Sequence, residues 1–525
     1  MTRLQDWVAR QAEGRPDAPA IVFGPERVSY GALEQVSNQL ARALIARGCR
    51  RGDRVALLVP KSPRAIAAML GVLKADCAYT PVDLRNPPAR VERVLEALQP
   101  RVVVATGAAR ELLAALHRDH RLGRAAIAWL EAEACDLPFP VAFTLADVGR
   151  SEATPVASRN GDDDLAHILF TSGSTGVPKG VTITHANVRH FVEWAVRYFG
   201  MGPDDRVSGH SPLHFDLSTF DVYGAFAAGA TLYPVAPELN LLPHKVAELI
   251  RQAELTQWFS VPSILLHMAQ GDAVRPNDFP ALRRLLWCGE AFPTRGLIHW
   301  MTRLPHVTFT NLYGPTEATI ASSYYRVPAC PTSDREAVPI GTGCEGEELL
   351  VLDERLDPVA RGGIGDLYIR GVGLSPGYWC DPEKTRAAFV PNPHDPSDRL
   401  YRTGDLARVD EQGRIVLVGR ADSQIKIRGY RIELGEIEAA LHALDALCES
   451  AVVPVATDGF GEPALACVYV PHRGAEVAPA ALRQRLAELL PPYMLPTRWK
   501  RLERLPLNPN GKVDRRALRD LLAAP

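Results

Sequence analysis

Residues 171–180 read Thr-Ser-Gly-Ser-Thr-Gly-Val-Pro-Lys-Gly, and the reading of the fold turns on this string. Its glycines let backbone N–H groups close on an anion. The hydroxyls of Thr171, Ser172, Ser174 and Thr175 add donors, and Lys179 supplies charge. That is the chemistry of a phosphate cradle. A Walker loop requires glycine, four residues, then Gly-Lys-Ser/Thr. Counted from Gly173, Pro178 stands where the second glycine belongs and Gly180 follows the lysine, so that motif fails. The dinucleotide fingerprint fails as well, because Gly371-Val372-Gly373 reaches Pro376 in place of its third glycine. By composition alone a polar surface turn competes evenly with the cradle.

Outward from the loop, 165–170 reads as a strand behind the solvated acidic run Asp162-Asp163-Asp164, and 186–198 as a helix. Toward the N-terminus, 33–46 recurs apolar at helical spacing, 54–59 is a short apolar strand and 65–73 returns to helix. Alternation of this kind predicts helices layered on a sheet. Beyond residue 390 the texture changes. Residues 391–399, Pro-Asn-Pro-His-Asp-Pro-Ser-Asp-Arg, read as a loop, followed by short strands near 413–418. A basic, glycine-punctuated run over 419–435 leads to two amphipathic helices, 436–444 and 480–490, of a small terminal unit.

The 525 residues carry 59 Lys+Arg against 61 Asp+Glu, a formal charge of −2, which leaves no electrostatic footprint for nucleic acid or an anionic membrane. At 46% hydrophobic and 23% charged, disordered and fibrous classes fall away. Nine cysteines, no two within four residues of each other, argue against a disulfide framework or a zinc ribbon and suit a reducing cytosol. Leu4, Trp7 and Val8 space as an amphipathic helix rather than a signal peptide, and no run approaches the ~20 apolar residues of a membrane span. A large soluble cytoplasmic enzyme is expected.

Taken whole, the 171–180 string resembles the signature loop of the adenylate-forming ligases, with Thr184-His185-x-Asn187 at that superfamily's usual place. Further segments follow in the family's order. Leu73-Lys74-Ala75-x-x-Ala78-Tyr79-x-Pro81-x-Asp83 is one. Asn311-Leu312-Tyr313-Gly314-Pro315-Thr316-Glu317 resembles the nucleotide-and-magnesium motif, and Tyr401-Arg402-Thr403-Gly404-Asp405 the ribose motif. Residues 419–436, GRADSQIKIRGYRIELGE, are similar to the hinge and loop of amino-acid adenylation domains of nonribosomal peptide synthesis, and Asn508-Pro509-Asn510-Gly511-Lys512-Val513-Asp514 to the terminal lysine loop. The resemblance implies an α/β chain: a large N-terminal domain of layered sheets and helices over 1–419, then a small mobile C-terminal α+β domain over 420–525.

What the resemblance implies chemically is attack of a carboxylate on the α-phosphate of ATP with Mg²⁺, giving an acyl-adenylate and pyrophosphate, followed by transfer to a thiol. Positioned cations and N–H donors would stabilise the charge that builds on the phosphoryl oxygens. Thr171, Ser172, Gly173, Ser174, Thr175, Gly176 and Lys179 would hold the pyrophosphate. Nucleotide contact is also implied for Gly289, Glu290, Asn311, Tyr313 (packed on adenine), Gly314, Asp405 (accepting from the ribose hydroxyls) and Arg420. Thr316, Glu317 and Lys512 would be catalytic, Glu317 also ligating the magnesium and Lys512 bridging the carboxylate and α-phosphate. Asp422 marks the hinge about which the small domain rotates between half-reactions.

For the acyl substrate, the decisive residue is Asp216 in His214-Phe215-Asp216-Leu217-Ser218-Thr219-Phe220. In amino-acid-activating relatives an aspartate here pairs with the α-ammonium, a partner that a fatty or aryl acid lacks. A helix-capping aspartate ahead of residues 217–226 is the competing reading. The pocket carried over would be Asp216, Leu217, Phe220, Phe259, Leu286, Cys288, Leu312, Ile320 and Ala321, closed by Lys512. With no charged group facing the side chain, a small apolar amino acid of proline or alanine type fits best. A D-alanine–carrier protein ligase, a carboxylic acid–CoA ligase and a non-catalytic homologue remain the alternatives. Only 13 residues follow Lys512, so a free-standing enzyme with a discrete phosphopantetheinylated carrier protein is expected.

Overall fold

Short polar residues ahead of the long helices set where those helices begin. Ser29 Oγ accepts from Ala32 N at 3.2 Å ahead of the helix Tyr30–Ala46, and Ser62 Oγ from Ala65 N at 3.2 Å ahead of Pro63–Lys74. Thr184 and Asn187 form a reciprocal capping box on the helix His185–Phe199. The Thr-His-x-Asn string is thus a helix start. In this computed structural model, residues 2–134, 136–173, 178–444, 446–456, 463–472, 477–508 and 513–523 are described.

The chain divides into two units, with the change between Ala421 and Asp422, two residues beyond the expected division after residue 419. The larger unit holds Met1–Leu84, Leu95–Phe170 and Gly180–Ala421; the smaller gathers Arg85–Val94, Thr171–Lys179 and Asp422–Pro525.

In the larger unit a nine-stranded sheet runs, edge to edge, through Thr342–Gly343, Ser323–Arg326, Thr308–Tyr313, Arg284–Trp287, Gln257–Ser260, Arg206–Gly209, Thr231–Pro234, Pro19–Phe23 and Glu26–Ser29. The six consecutive strands from 308–313 through 19–23 pair in parallel. An eight-stranded sheet is built around Leu165–Thr171, Ala78–Pro81, Arg54–Leu58, Val102–Ala105 and Ala126–Trp129, again parallel. Parallel strands are covered on both faces, which is why Val102–Ala105 reads as an unbroken apolar run with every residue buried. A third, antiparallel sheet contains Glu347–Leu352, Ile364–Gly371, Phe389–Asn392, Asp395–Val409 and Ile415–Arg420.

That third sheet corrects one expectation. Residues 391–399 are not a loop: Pro391 pairs with Arg399 and Asn392 with Asp395 in an antiparallel hairpin. Proline survives on a strand where its missing N–H leaves no ladder bond unmade, and composition alone misreads such a segment.

In the smaller unit, Gln424–Ile427 and Tyr430–Glu433 form a hairpin turned by Arg428 and Gly429, both at positive φ (52° and 79°). A three-stranded sheet, Leu447–Val455, Ala464–Pro471 and Arg498–Arg501, follows. Its first two strands alternate at period two. Val452, Leu465 and Cys467 join Ile437, Leu441, Leu482 and Leu486 on one face, while Ala451, Val453, Ala466 and Val468 join Leu505 and Leu518 on the other. One sheet therefore carries two small cores.

Candidate active site

The strand Thr308–Tyr313 serves two surfaces at once. Its parallel register places Leu286 opposite Thr310, and Phe259 opposite Leu286, so Phe259, Leu286 and Leu312 share one face of the sheet. Asn311 and Tyr313 occupy the other. Asn311 Nδ2 donates to the Pro339 carbonyl at 2.9 Å, and the Tyr313 hydroxyl donates to Asp405 Oδ2 at 2.5 Å. Gly314 cannot carry a side chain: a Cβ there would stand 2.5 Å from Ala321 Cα and 2.8 Å from Ser322 N.

Asp405 lies on the long strand Asp395–Val409 directly across from Arg420, whose Nη1 reaches Asp405 Oδ1 at 2.5 Å. Arg420 Nη2 also donates to the Thr403 carbonyl at 3.2 Å, and Asp405 N donates to Thr403 Oγ1 at 3.0 Å. Gly404, at φ 76°, supplies the left-handed step between them. The carboxylate is thus held from two sides, Tyr313 on one oxygen and Arg420 on the other. Each oxygen keeps a second lone pair for a further donor. Burial and the adjacent carboxylate push the Tyr313 hydroxyl well above its usual range, so it stays a donor.

Glu317 follows on a short 3-10 turn, Thr316–Ala318, and is fully buried. Its Oε1 accepts from the Tyr378 hydroxyl at 2.7 Å, and its carbonyl accepts from Ser375 N at 2.9 Å. Nothing in the sequence marked Tyr378, which lies 61 residues away in the chain. Among the described residues no cluster of three or more His, Cys, Asp or Glu could hold a metal ion. A single oriented carboxylate still fits Mg²⁺, which takes one or two protein carboxylates and completes its shell with phosphate oxygens and water.

Beyond Glu317, Thr319 and Ile320 both hold positive φ, 56° and 72°. For two consecutive β-branched residues this is strained backbone. Thr319 Oγ1 donates to the Gly373 carbonyl at 2.7 Å, which helps to hold the turn. Ile320 and Ala321 are buried beside it.

Asp216 occupies the N-cap position of the helix Leu217–Ala228, with αR backbone and no side-chain capping bond. The capping alternative is therefore not the geometry adopted. Asp216 is half-buried, whereas Leu217, Phe220, Phe259, Leu286, Cys288, Leu312, Ile320 and Ala321 are all buried in one apolar cluster. The Phe220 and Phe259 rings meet edge to face at 5.8 Å, and Phe191 adds a second edge-to-face contact on Phe220 at 5.5 Å. Against its own helix the Phe220 ring lies over Gly224, where a Cβ would come within 2.8 Å.

Two expected nucleotide contacts and the expected hinge residue have other partners within the protein. Glu290 Oε2 accepts from Ser263 N at 3.0 Å at the start of the helix Pro262–Gln270, next to Gly289 at φ 97°. In the smaller unit Ser172 Oγ donates to the Arg431 carbonyl at 2.6 Å. At the change of unit, Asp422 Oδ1 accepts from Gln424 N at 3.1 Å and closes a local turn. Thr171 Oγ1 is buried without a hydrogen-bond partner among the described residues. Gly173 and Lys179 are described, with Lys179 opening the strand Lys179–Thr184. Ser174, Thr175, Gly176 and Lys512 lie outside the described residues.

Comparison with known proteins agrees with this arrangement. The AMP-binding enzyme family model matches residues 8–379, and that of the AMP-binding enzyme C-terminal domain matches 436–512. The L-proline–[L-prolyl-carrier protein] ligase of Streptomyces coelicolor is 38% identical over 510 residues, which cover 95% of this chain and 93% of that one. Tyrocidine synthase 2 of Brevibacillus parabrevis is 34% identical over 515 residues; the match takes in 98% of this chain and spans 13% of the synthase. The crystal structure of the Vibrio cholerae adenylation domain AlmE, in complex with glycyl-adenosine-5'-phosphate, superposes with a TM-score of 0.88 at 27% identity, covering 99% of this chain and 98% of that one. Fold and site define the class of adenylate-forming ligases. The chain belongs to the AMP-binding enzyme family and, within it, to the amino-acid adenylation enzymes.

Proposed function

We propose that this enzyme activates a small apolar α-amino acid, with proline the first candidate and alanine the second. It forms the aminoacyl-AMP and passes the acyl group to the phosphopantetheine thiol of a discrete carrier protein in the cytoplasm. The observation that carries this reading is Asp216, an aspartate that makes no capping bond at the start of a helix whose Leu217 and Phe220 are buried in the apolar cluster. A carboxylate there would bind an α-ammonium, and the wall offers nothing to a polar side chain. The edge-to-face packing of Phe220 on Phe259 supports a small substrate. The 38% identity to a prolyl-carrier protein ligase, over nearly the whole of both chains, supports proline and a separate carrier. Glycine is a second reading, favoured by the likeness to AlmE with its glycyl-adenylate.

In the first half-reaction a substrate carboxylate oxygen bonds to the α-phosphorus of ATP, and the bond to the bridging oxygen breaks to release pyrophosphate. Asp405, steadied by Tyr313 and Arg420, would accept from the ribose hydroxyls and fix the nucleotide's register. Glu317, oriented by Tyr378, would hold Mg²⁺, which when bound neutralises charge on the phosphoryl oxygens. Lys512 would bridge the carboxylate and the α-phosphate. In the second half-reaction the thiolate sulfur bonds to the acyl carbon and AMP leaves, after the unit beginning at Asp422 has rotated.

ATP–pyrophosphate exchange with proline, alanine, glycine and serine tests the reading. Exchange with proline or alanine is expected. If none of the four exchanges while a simple carboxylic acid does, the role given to Asp216 is wrong.

A further inference from the structure

One lysine outside the family's motifs is placed to shape amino-acid recognition. Lys61 lies between the strand Arg54–Leu58 and the helix Pro63–Lys74. Its Nζ donates to three successive carbonyls, those of Gly209 (2.9 Å), His210 (2.6 Å) and Ser211 (3.3 Å). An ammonium has three donors and no acceptor, so the three carbonyls use its full capacity. They belong to the end of the strand Arg206–Gly209 and the start of the turn that delivers Asp216. Within that turn Phe215 N donates to the Pro212 carbonyl at 2.9 Å, and Ser218 Oγ to the Phe215 carbonyl at 2.7 Å. A shift of the 209–211 backbone would therefore be carried through a stiff turn to Asp216.

The pocket helix is tied to the same point. Asp221, 1% exposed and one residue past Phe220, accepts from Ser211 N at 3.4 Å through Oδ2, while its Oδ1 has no hydrogen-bond partner among the described residues. Burial pulls the Lys61 ammonium down to about 7 and pushes the Asp221 carboxyl up, and each opposes the other's shift by its charge. His210 is held neutral, pulled down to about 3 by burial and by Lys61, and its Nε2 meets Asn240 Oδ1 at 2.9 Å. Desolvating an ammonium is costly, and a plain packing role at this place could be filled by an apolar side chain.

We propose that Lys61 is a positioning residue for amino-acid recognition: by binding the carbonyls of Gly209, His210 and Ser211 it sets the turn that presents Asp216 to the substrate's α-ammonium. This rests on the reading of Asp216 given above.

The test uses the full-length enzyme with the amino acid that exchanges best and its des-amino acid, proline and cyclopentanecarboxylic acid in the first instance. Lys61→Met should raise the KM for the amino acid tenfold or more. It should leave the KM for ATP, and the inhibition constant of the des-amino acid, within twofold, because neither ligand uses Asp216. A general disturbance of the pocket would move all three constants, and that outcome, or an unchanged amino-acid KM, overturns the proposal. If Lys61→Met does not fold, Asp221→Asn decides, with a rise of at least threefold in amino-acid KM expected and no rise overturning the proposal. Asp216→Ala is the control. If it raises the amino-acid KM and Lys61→Met does not, the positioning role fails alone; if Asp216→Ala changes nothing, the reading of Asp216 fails.

Discussion

Tyr313 donates a hydrogen bond from its hydroxyl to Asp405 across 92 residues of chain, at 2.5 Å, while Arg420 holds the other carboxylate oxygen at the same distance. A hydroxyl that burial and a neighbouring anion keep protonated makes a fixed donor. A hydrogen bond to a charged group contributes about 1.5–3 kcal/mol. Tyr313→Phe is therefore expected to lower kcat/KM for ATP by roughly 10- to 100-fold, with the amino-acid KM little changed. Initial rates of pyrophosphate release with each substrate varied in turn would show this, and an unaltered ATP dependence would refute it.

Tyr378 acts on Glu317 in a comparable way, at 2.7 Å, but its readout is the metal. Without that donor the buried carboxylate loses one fixed orientation. Tyr378→Phe should raise the Mg²⁺ concentration for half-maximal exchange by several-fold, whereas Glu317→Gln should nearly abolish exchange at any Mg²⁺ concentration. A titration of rate against Mg²⁺ at saturating ATP compares the two.

Phe220 packs between Phe191 and Phe259, and on the proposed function it lines the substrate pocket. Phe220→Ala should cost about 3–5 kcal/mol of stability by leaving a cavity. The same cavity should admit larger apolar amino acids. Exchange with leucine or phenylalanine is expected to rise relative to proline, and a parallel fall for every substrate would count against Phe220 lining the pocket.

A pH effect follows from Glu347. Gly373 N donates to its Oε1 at 2.5 Å, Oε2 is buried without a partner among the described residues, and burial pushes the carboxyl from 4.5 to about 8. The folded state therefore keeps a proton that the unfolded chain has released between those values. Stability from this group is fully present below about pH 4.5 and is lost as pH rises through about 8. Glu347→Gln, neutral at every pH, should melt progressively higher than the wild type as pH is raised from 5 to 8.5. Melting curves with the same difference at both ends of that range would exclude the effect.

On the proposed function Lys512 would act in the first half-reaction only. Lys512→Ala should suppress adenylation far more than thioester formation from preformed aminoacyl-adenylate. Equal loss in both assays would remove the basis for rotation about Asp422.

The motif strings Asn311–Glu317 and Tyr401–Asp405 were legible because each sets out neighbouring residues on a strand or tight turn, where sequence spacing and spatial spacing are the same thing. The helix starts at Ser29, Ser62 and Thr184 are set locally for the same reason, since a cap oxygen and the N–H that donates to it lie three residues apart. Asp216 shows where local reading stops. The same residue could have been a cap, and only the αR backbone and the missing capping bond separate the two roles. The hairpin at 389–409 was hidden by its three prolines, because composition reports propensity and pairing is decided by a partner strand.

By itself, then, the amino-acid order determined the superfamily and the α/β layering and nominated the candidate residues for ATP and substrate, because those depend on short strings and on periodicity. Tertiary structure alone decided that Tyr378 orients Glu317, that Tyr313 and Arg420 share the two oxygens of Asp405, and that Lys61 gathers three carbonyls below the substrate turn. Each of the Tyr378, Tyr313 and Lys61 bonds joins residues 60 to 150 positions apart. No window of sequence contains both partners, and a tyrosine or lysine at one end has nothing local to say which oxygen it will find.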